Sequence, residues 1–266
     1  MSIKLIATDM DGTLLTDEKK ITQKDFDAIQ LAAARGIKFI LATGRMYEAA
    51  KPYADALKLD VPLISYNGAL VKGSRSGEVL FESFMDPELA YEVLQYCQKF
   101  RLHVQAYWGG EVYTDRLNED SRWYSKIINK PVLEIGERLF NEKHKVYKLL
   151  IMTDPETVNP IWLDLGQRFT GRIDLTSSAQ NFLEIISPGI NKWNAVKHLA
   201  DTWHIRQSEI MCIGDSLNDL SMIENAKVGV AVANAHPDVR FHAQHIVADN
   251  NSGGVAEAIR IALDLE

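Results

Sequence analysis

The sequence predicts an α/β protein: a parallel sheet flanked by helices, interrupted by an inserted α+β segment. Three observations carry this. Short continuous apolar runs at 3–7, 37–42 and 61–66 alternate with helical stretches, as strands buried on both faces do. After residue 85 the order changes to a mixture of helices, hairpins and paired strands. From Asn191 the strand–helix rhythm returns and runs to the end.

Taken in order, the strand at 3–7 ends in Asp9-Met10-Asp11-Gly12-Thr13, and residues 14–20 are polar enough for a loop or small hairpin. Thr22 suits a helix N-cap, and Phe26, Ile29, Leu31 and Ala33 fall in a helix that Gly36 ends. The strand at 37–42 is followed by Thr43-Gly44-Arg45, read as opening a helix that runs to about Leu57. The strand at 61–66 ends at Asn67-Gly68. Runs at 69–72 and 78–84 flank Gly73-Ser74-Arg75-Ser76-Gly77 and predict a hairpin. From Asp86 the pattern is helix, strands at 102–108 and 111–115, helix, a strand at 146–153, a helix from Pro155, and a strand pair around Ser177-Ser178-Ala179-Gln180. Then follow a helix from Asn191, strands at 209–214, 227–231 and 245–248 with helices between, and a last helix from Gly253. The expected organisation is a discontinuous core, 1–84 plus 188–266, with 85–187 inserted as a second domain and hinges near Phe84 and Ser187-Pro188-Gly189.

Composition sets bounds. A chain of 266 residues accommodates one or two domains, and 46% apolar with 24% charged residues is ordinary for a globular protein. The net charge of −7 argues against a nucleic-acid partner, which needs a basic footprint. Two distant cysteines, Cys97 and Cys212, suggest neither a disulfide framework nor a zinc site. Acids at 9 and 11 stand where a signal peptide needs an apolar core, and no run approaches membrane-spanning length, so a cytoplasmic location with no membrane partner is expected. A monomer or small homo-oligomer is expected.

Four features stand at or beside the C-terminal ends of predicted core strands: Asp9/Asp11, Thr43-Gly44, Lys192 and Gly214-Asp215-Ser216-Leu217-Asn218-Asp219. Ligands of open α/β sheets bind at that edge. Asp9, Asp11, Asp215 and Asp219 would converge there, and one pair at ~5 Å with an effective dielectric of ~20 repels by roughly 3 kcal/mol. Such repulsion calls for a counter-charge. An all-oxygen donor set favours Mg2+ over zinc. Thr43 with Gly44 at a helix N-terminus offers an anion site, and Lys192 supplies a positive point charge, so the set describes a cradle for one phosphoryl group.

DxDGT with a distant GDxxND, in this order with Thr-Gly and Lys between them, resembles the haloacid dehalogenase (HAD) superfamily, and within it the Cof-type hydrolases with a large α/β cap inserted after the third core strand. The resemblance covers nearly the whole chain. It implies an HAD-like Rossmannoid core with an inserted cap, and a phosphatase acting on a small phosphorylated substrate with Mg2+ as cofactor, sugar phosphates leading. By position, Asp9 would be the nucleophile and Asp11 the acid that protonates the leaving alkoxide and then activates water. Met10, Thr43, Gly44, Arg45, Asn67, Lys192 and Asn218 form the implied phosphate and substrate set. Mg2+ would sit on Asp9, the Asp11 carbonyl and Asp215, with Asp219 supporting. An acid at the second motif position separates phosphate-ester chemistry from dehalogenases, which lack it, and transport ATPases, which carry Thr. Trp193 after Lys192 departs from relatives that carry Gly there.

Blander readings stand beside these. Asp9 and Asp11 could be solvated turn acids, and Asp215 or Asp219 a helix cap. Lys192 could be a surface lysine. Arg45 could guard phosphate or pair with a core acid, and Asn67-Gly68 could be a turn or touch substrate. His236, His242 and His245 read as surface or packing residues, and Cys212 as core. His103, Tyr107, Trp108, Tyr113, Arg116, Arg122, Trp123 and Tyr124 in the insert could stack on a sugar or fill the insert's own core. A phosphosugar mutase and a phosphometabolite-binding regulatory protein are the alternative functions.

Overall fold

The computed structural model describes residues 2–264. The chain opens with β1 (Leu5–Thr8), α1 (Gln23–Ala34), β2 (Lys38–Ala42), α2 (Tyr47–Ala56), β3 (Pro62–Ser65), β4 (Leu70–Gly73) and β5 (Val79–Glu82). The insert follows: α3 (Pro87–Lys99), β6 (Val104–Trp108), β7 (Glu111–Thr114), α4 (Glu119–Ile128), β8 (Val132–Glu134), α5 (Arg138–Asn141), β9 (Lys148–Met152), α6 (Pro155–Arg168), β10 (Asp174–Thr176) and β11 (Phe182–Ile186). The chain then runs through α7 (Lys192–Thr202), β12 (Ile210–Gly214), α8 (Leu220–Asn225), β13 (Val228–Val232), α9 (Pro237–His242), β14 (His245–Val247) and α10 (Gly254–Asp264). Two compact units result: one from residues up to Phe81 with those from Asn191 onward, the other Glu82–Ile190.

In the first unit the strands form one sheet in the order β14-β13-β12-β1-β2-β3-β4-β5. Pairing is parallel from β14 to β3 and turns antiparallel at β3–β4, the predicted hairpin side. Successive strand residues face opposite sides. Leu5, Ala7, Ile40, Ala42, Ile64, Ile210 and Cys212 therefore pack on α7 and α8, while α1 and α10 pack together on the other face. Both faces are covered, which is why β12 and β13 read as unbroken apolar runs and every residue of β1 is buried.

α1 departs from the simple apolar stripe. Leu31 is exposed, and Asp25 is buried beside Ile29 and Ala32. The acid is satisfied locally: its Oδ2 accepts the Thr22 hydroxyl and its Oδ1 accepts the Ala256 N–H in the first turn of α10. One carboxylate thus ties the starts of two helices together. Burial nevertheless raises its pKa above the ordinary range.

The second unit is a six-stranded sheet in the order β10-β11-β9-β6-β7-β8. One face packs on α3 and α6 through Val104, Ala106, Leu149, Ile151, Leu183 and Ile185. The opposite parity brings Lys148 of β9 to Glu184 of β11, a buried pair at 3.1 Å. β8 and α5 leave no signal in the sequence, because three and four residues are too short to show a period.

Thr22 caps α1, its Oγ1 accepting the Asp25 N–H at 3.1 Å. Thr22→Ala is expected to lower stability by about 1 kcal/mol. Urea unfolding should show a lower midpoint at an unchanged slope.

Candidate active site

Chain order in the core sheet runs outward from β1 to β2 and β3, then returns to the other side of β1 through β12, β13 and β14. The direction reverses at β1, and parallel strands put all their C-terminal ends on one edge. Asp9 follows β1, Thr43 follows β2 and Asp215 follows β12, so pairing alone brings them to that edge. The Asp9 N–H donates to the Ile213 carbonyl at 2.9 Å, which fixes it beside Gly214-Asp215.

Asp9, Asp215 and Asp219 each offer a carboxylate oxygen, and these lie within 4.8 Å of one another. Lys192, the first residue of α7, is wholly buried. Its Nζ donates to Asp9 Oδ1 at 2.6 Å and to Asp219 Oδ1 at 2.5 Å. Burial opposes the ammonium charge, but the carboxylates of Asp219 and Asp9 outweigh it and hold Lys192 above the ordinary lysine range. Burial and then the Asp219 charge raise Asp9 well above the carboxylate range, with Lys192 pulling back. The same two causes push Asp215 up to about 6. A single ammonium is insufficient for three acids, and the all-oxygen donor set fits a hard divalent cation.

Asp219 also braces the loop, its Oδ2 accepting the backbone N–H groups of Asp215 and Ser216 at 2.9 and 3.0 Å. Asp215 is aimed by two hydroxyls, Thr13 Oγ1 donating at 2.7 Å and Ser216 Oγ at 2.8 Å. Gly12 between them is obligatory: it has φ +79°, and a Cβ there would stand 2.7 Å from Asp215 Oδ2. Thr13 and Ser216 lie inside the two acid motifs, and a small hydroxyl residue flanking an acid is the sequence signal for this role.

Asp11 stands apart from the acid group. Arg45 grips its carboxylate with Nε to Oδ2 at 2.5 Å and Nη2 to Oδ1 at 2.7 Å, and Lys19 Nζ adds a third contact at 2.8 Å. Burial works against the charge, but the Arg45 hydrogen bonds and charge, helped by Lys19, hold Asp11 at about 2. Of the two readings of Arg45, this structure displays the acid partner. Lys19 had no sequence signal, being a lysine in a polar loop.

Thr43-Gly44 does not open a helix. α2 begins at Tyr47, and residues 43–45 form a short connection, bent at 44–45, that is pinned to the loop after β3. Asn67 N–H donates to the Thr43 carbonyl, Tyr66 N–H to the Arg45 carbonyl, and Thr43 Oγ1 accepts the Arg45 N–H. These tertiary bonds compete with the helical ones, so helix-terminal charge is not available at Thr43. Asn67-Gly68 is more than a turn. A Cβ at Gly68 would sit 2.4 Å from the Asn191 carbonyl, so this glycine admits the N-cap of the helix that starts with Lys192. Asn67 accepts from Asn218 Nδ2 at 3.0 Å, and the buried Asn218 Oδ1 has no partner among the described residues. Met10 is buried, its carbonyl accepting the Leu15 N–H at 2.7 Å.

Other candidates fall elsewhere. Trp193 packs with the sheet core. His236 caps α9 through Nδ1, His242 lies 3.3 Å from Glu224, and His245 is exposed on β14. Cys212 and Cys97 are buried, and burial pushes the Cys97 thiol up to about 12. In the insert, Trp108 stacks on Tyr113 and His144, Tyr107 and Tyr124 are buried, and Arg116, Arg122 and Trp123 are exposed.

Residues 6–259 match the model of the haloacid dehalogenase-like hydrolases. The chain belongs to that family. A Streptococcus pyogenes protein provisionally named a phosphatase is 32% identical over 98% of this chain and 98% of its own. A Bacillus subtilis protein named 5-amino-6-(5-phospho-D-ribitylamino)uracil phosphatase is 30% identical over 98% of this chain and 96% of its own. The crystal structure of a haloacid dehalogenase-like hydrolase from Bacteroides thetaiotaomicron superposes with a TM-score of 0.85 at 30% identity, covering 97% of this chain and 99% of that one. This haloacid dehalogenase-like hydrolase is accordingly a Cof-type phosphatase, a phosphoric monoester hydrolase. None of its described helices is long and apolar enough to cross a membrane.

The acid crowding has a pH signature. Asp215 at about 6, against an ordinary 3.8, binds its proton more tightly folded than unfolded. Its protonation favours the native state, so this contribution is present at low pH and is lost as pH rises from about 4 through about 6. The gain in melting temperature on replacing chelator with a divalent cation is expected to grow across that window. A gain independent of pH would contradict the crowding.

Proposed function

We propose that this hydrolase is a Mg2+-dependent phosphatase of small phosphorylated metabolites, with sugar and polyol phosphates the leading class, working through an aspartyl-phosphate on Asp9. The observation that carries the reading is the division of labour between acids. Asp9 lies in the cation-ready group with Asp215 and Asp219, while Asp11, two residues on, stands outside it with its own partners. In this reading Asp9, Asp215 and the Asp11 carbonyl hold Mg2+, and Asp219 supports the shell. When bound, the ion supplies positive charge to the phosphoryl oxygens and relieves repulsion between Asp9 and the incoming ester.

The chemistry balances on this chain's own residues. An Asp9 oxygen forms a bond to phosphorus as the ester P–O bond breaks, and Asp11 gives its proton to the departing alkoxide. Water then attacks the aspartyl-phosphate, Asp11 takes the proton, and inorganic phosphate leaves with Asp9 restored. Lys192 would balance the phosphoryl charge, with Thr43, Gly44 and Asn218 beside it as hydrogen-bond partners. Asp11 bound to Arg45 and Lys19 is a carboxylate, suited to the base half of this cycle. The acid half requires these cations to change partners, and the phosphate ester is the anion of the right sign to draw them away.

The sugar and polyol class draws support from the Bacillus subtilis relative, whose name places its phosphate on a ribityl chain.

The test is phosphate release across hexose, pentose and polyol phosphates, pyridoxal phosphate, flavin mononucleotide and p-nitrophenyl phosphate, with Mg2+ and with chelator. Chelator-sensitive release is expected, strongest on sugar or polyol esters. Asp9→Asn should abolish turnover with the fold intact, and activity within about tenfold of wild type would remove Asp9 from the nucleophile role.

A further inference from the structure

The loop that carries Asp11 forward, residues 12–20, has little regular structure of its own and is held from outside by three asparagines. Asn234, in the loop after β13, donates from Nδ2 to the Gly12 carbonyl at 2.8 Å. Asn250, after β14, donates from Nδ2 to the Leu15 carbonyl at 3.0 Å and to Asp17 Oδ1 at 3.1 Å. Asn251 next to it accepts the Asp17 N–H and donates to Asp17 Oδ2, both at 3.1 Å. The clamps are themselves joined, since the Asn250 N–H donates to Asn234 Oδ1 at 3.1 Å. Asn250 is buried and Asn234 exposed.

The amide is the chemistry this task requires. Each of these side chains must donate to a carbonyl or carboxylate, and Asn234 and Asn251 must also accept a backbone N–H. An ionised aspartate accepts only, and a serine offers a single donor on a shorter reach. The points gripped are Gly12, the peptide next to Asp11; Leu15, which bridges back to Asp11; and Asp17, which precedes Lys19, a cationic partner of Asp11. Every grip lies within a few bonds of something that sets the Asp11 carboxylate.

We infer that Asn234 and Asn250 are positioning residues for the proton-transfer steps, holding the loop so that Asp11 stands where the leaving oxygen departs. The inference rests on the proposed function, with Asp11 as acid. It predicts a selective defect. An alkoxide leaves only when protonated, whereas p-nitrophenolate leaves with little help, so a misplaced acid harms alkyl esters and spares the aryl ester. A merely structural loss harms both alike.

The experiment compares kcat/KM, which reports formation of the phospho-enzyme, for wild type, Asn234→Ala, Asn234→Asp and Asn250→Ala with Mg2+. The substrates are p-nitrophenyl phosphate and the best alkyl phosphate of the wild type. All three variants are expected to lose about tenfold or more on the alkyl ester and to stay within about threefold on the aryl ester. Asn234→Asp keeps the acceptor for the Asn250 N–H and removes the donor to Gly12, so behaviour like wild type would overturn the inference. Equal losses on both esters, or no loss on either, would overturn it too. Asn234 is exposed, so its variants should keep the wild-type melting curve even if Asn250→Ala unfolds. A wild type that releases phosphate from no ester would sink the phosphatase reading itself, and this inference with it.

Discussion

Lys192 makes the rest of the site possible. Asp9, Asp215 and Asp219 crowd one edge of a sheet whose interior is apolar, and without a counter-charge they would repel one another and shed their ionisation. The ammonium is wholly buried between two of them. Loss of one partner from such a buried set costs about 3–5 kcal/mol, because the remaining charges are left unpaired. One positive charge still leaves the group short, and the three carboxylates could hold a divalent cation.

The fold supplies the means of assembly. Asp9 and Asp215 come from adjacent parallel strands, and Lys192 from a helix packed across the same strands. The helix start is placed by contacts far from it in sequence. Asn191 caps α7 and receives the Gly68 backbone, so the loop after β3 locates the lysine. Substituting that glycine would displace the ammonium without touching any charged group.

A second electrostatic unit lies beside the first. Arg45 and Lys19 hold Asp11 far from protonation while Asp9 and Asp215 are held toward it. Two residues apart on the chain, Asp9 and Asp11 are driven in opposite directions by their surroundings. Asparagines after β13 and β14 hold the loop that follows β1, so residues late in the chain fix the path of residues near its start.

Much of this was legible in one dimension. Apolar runs of strand length, a capping threonine at 22 and acids placed just after strands are local signals, and local chemistry determines them. The sequence by itself determined the α/β core, the inserted α+β segment, the motif residues and the family they resemble. Short elements such as β8 and α5, the buried Asp25 and the Lys148–Glu184 pair left no period or motif to read. Tertiary structure alone decided that Thr43 leads into a bend rather than a helix start, that Arg45 and Lys19 face Asp11, and that Thr13 and Ser216 aim Asp215. The reason is physical. Which donor meets which acceptor depends on chain segments brought together by sheet pairing, and residues 13 and 215 or 12 and 234 carry no trace of each other until the strands align.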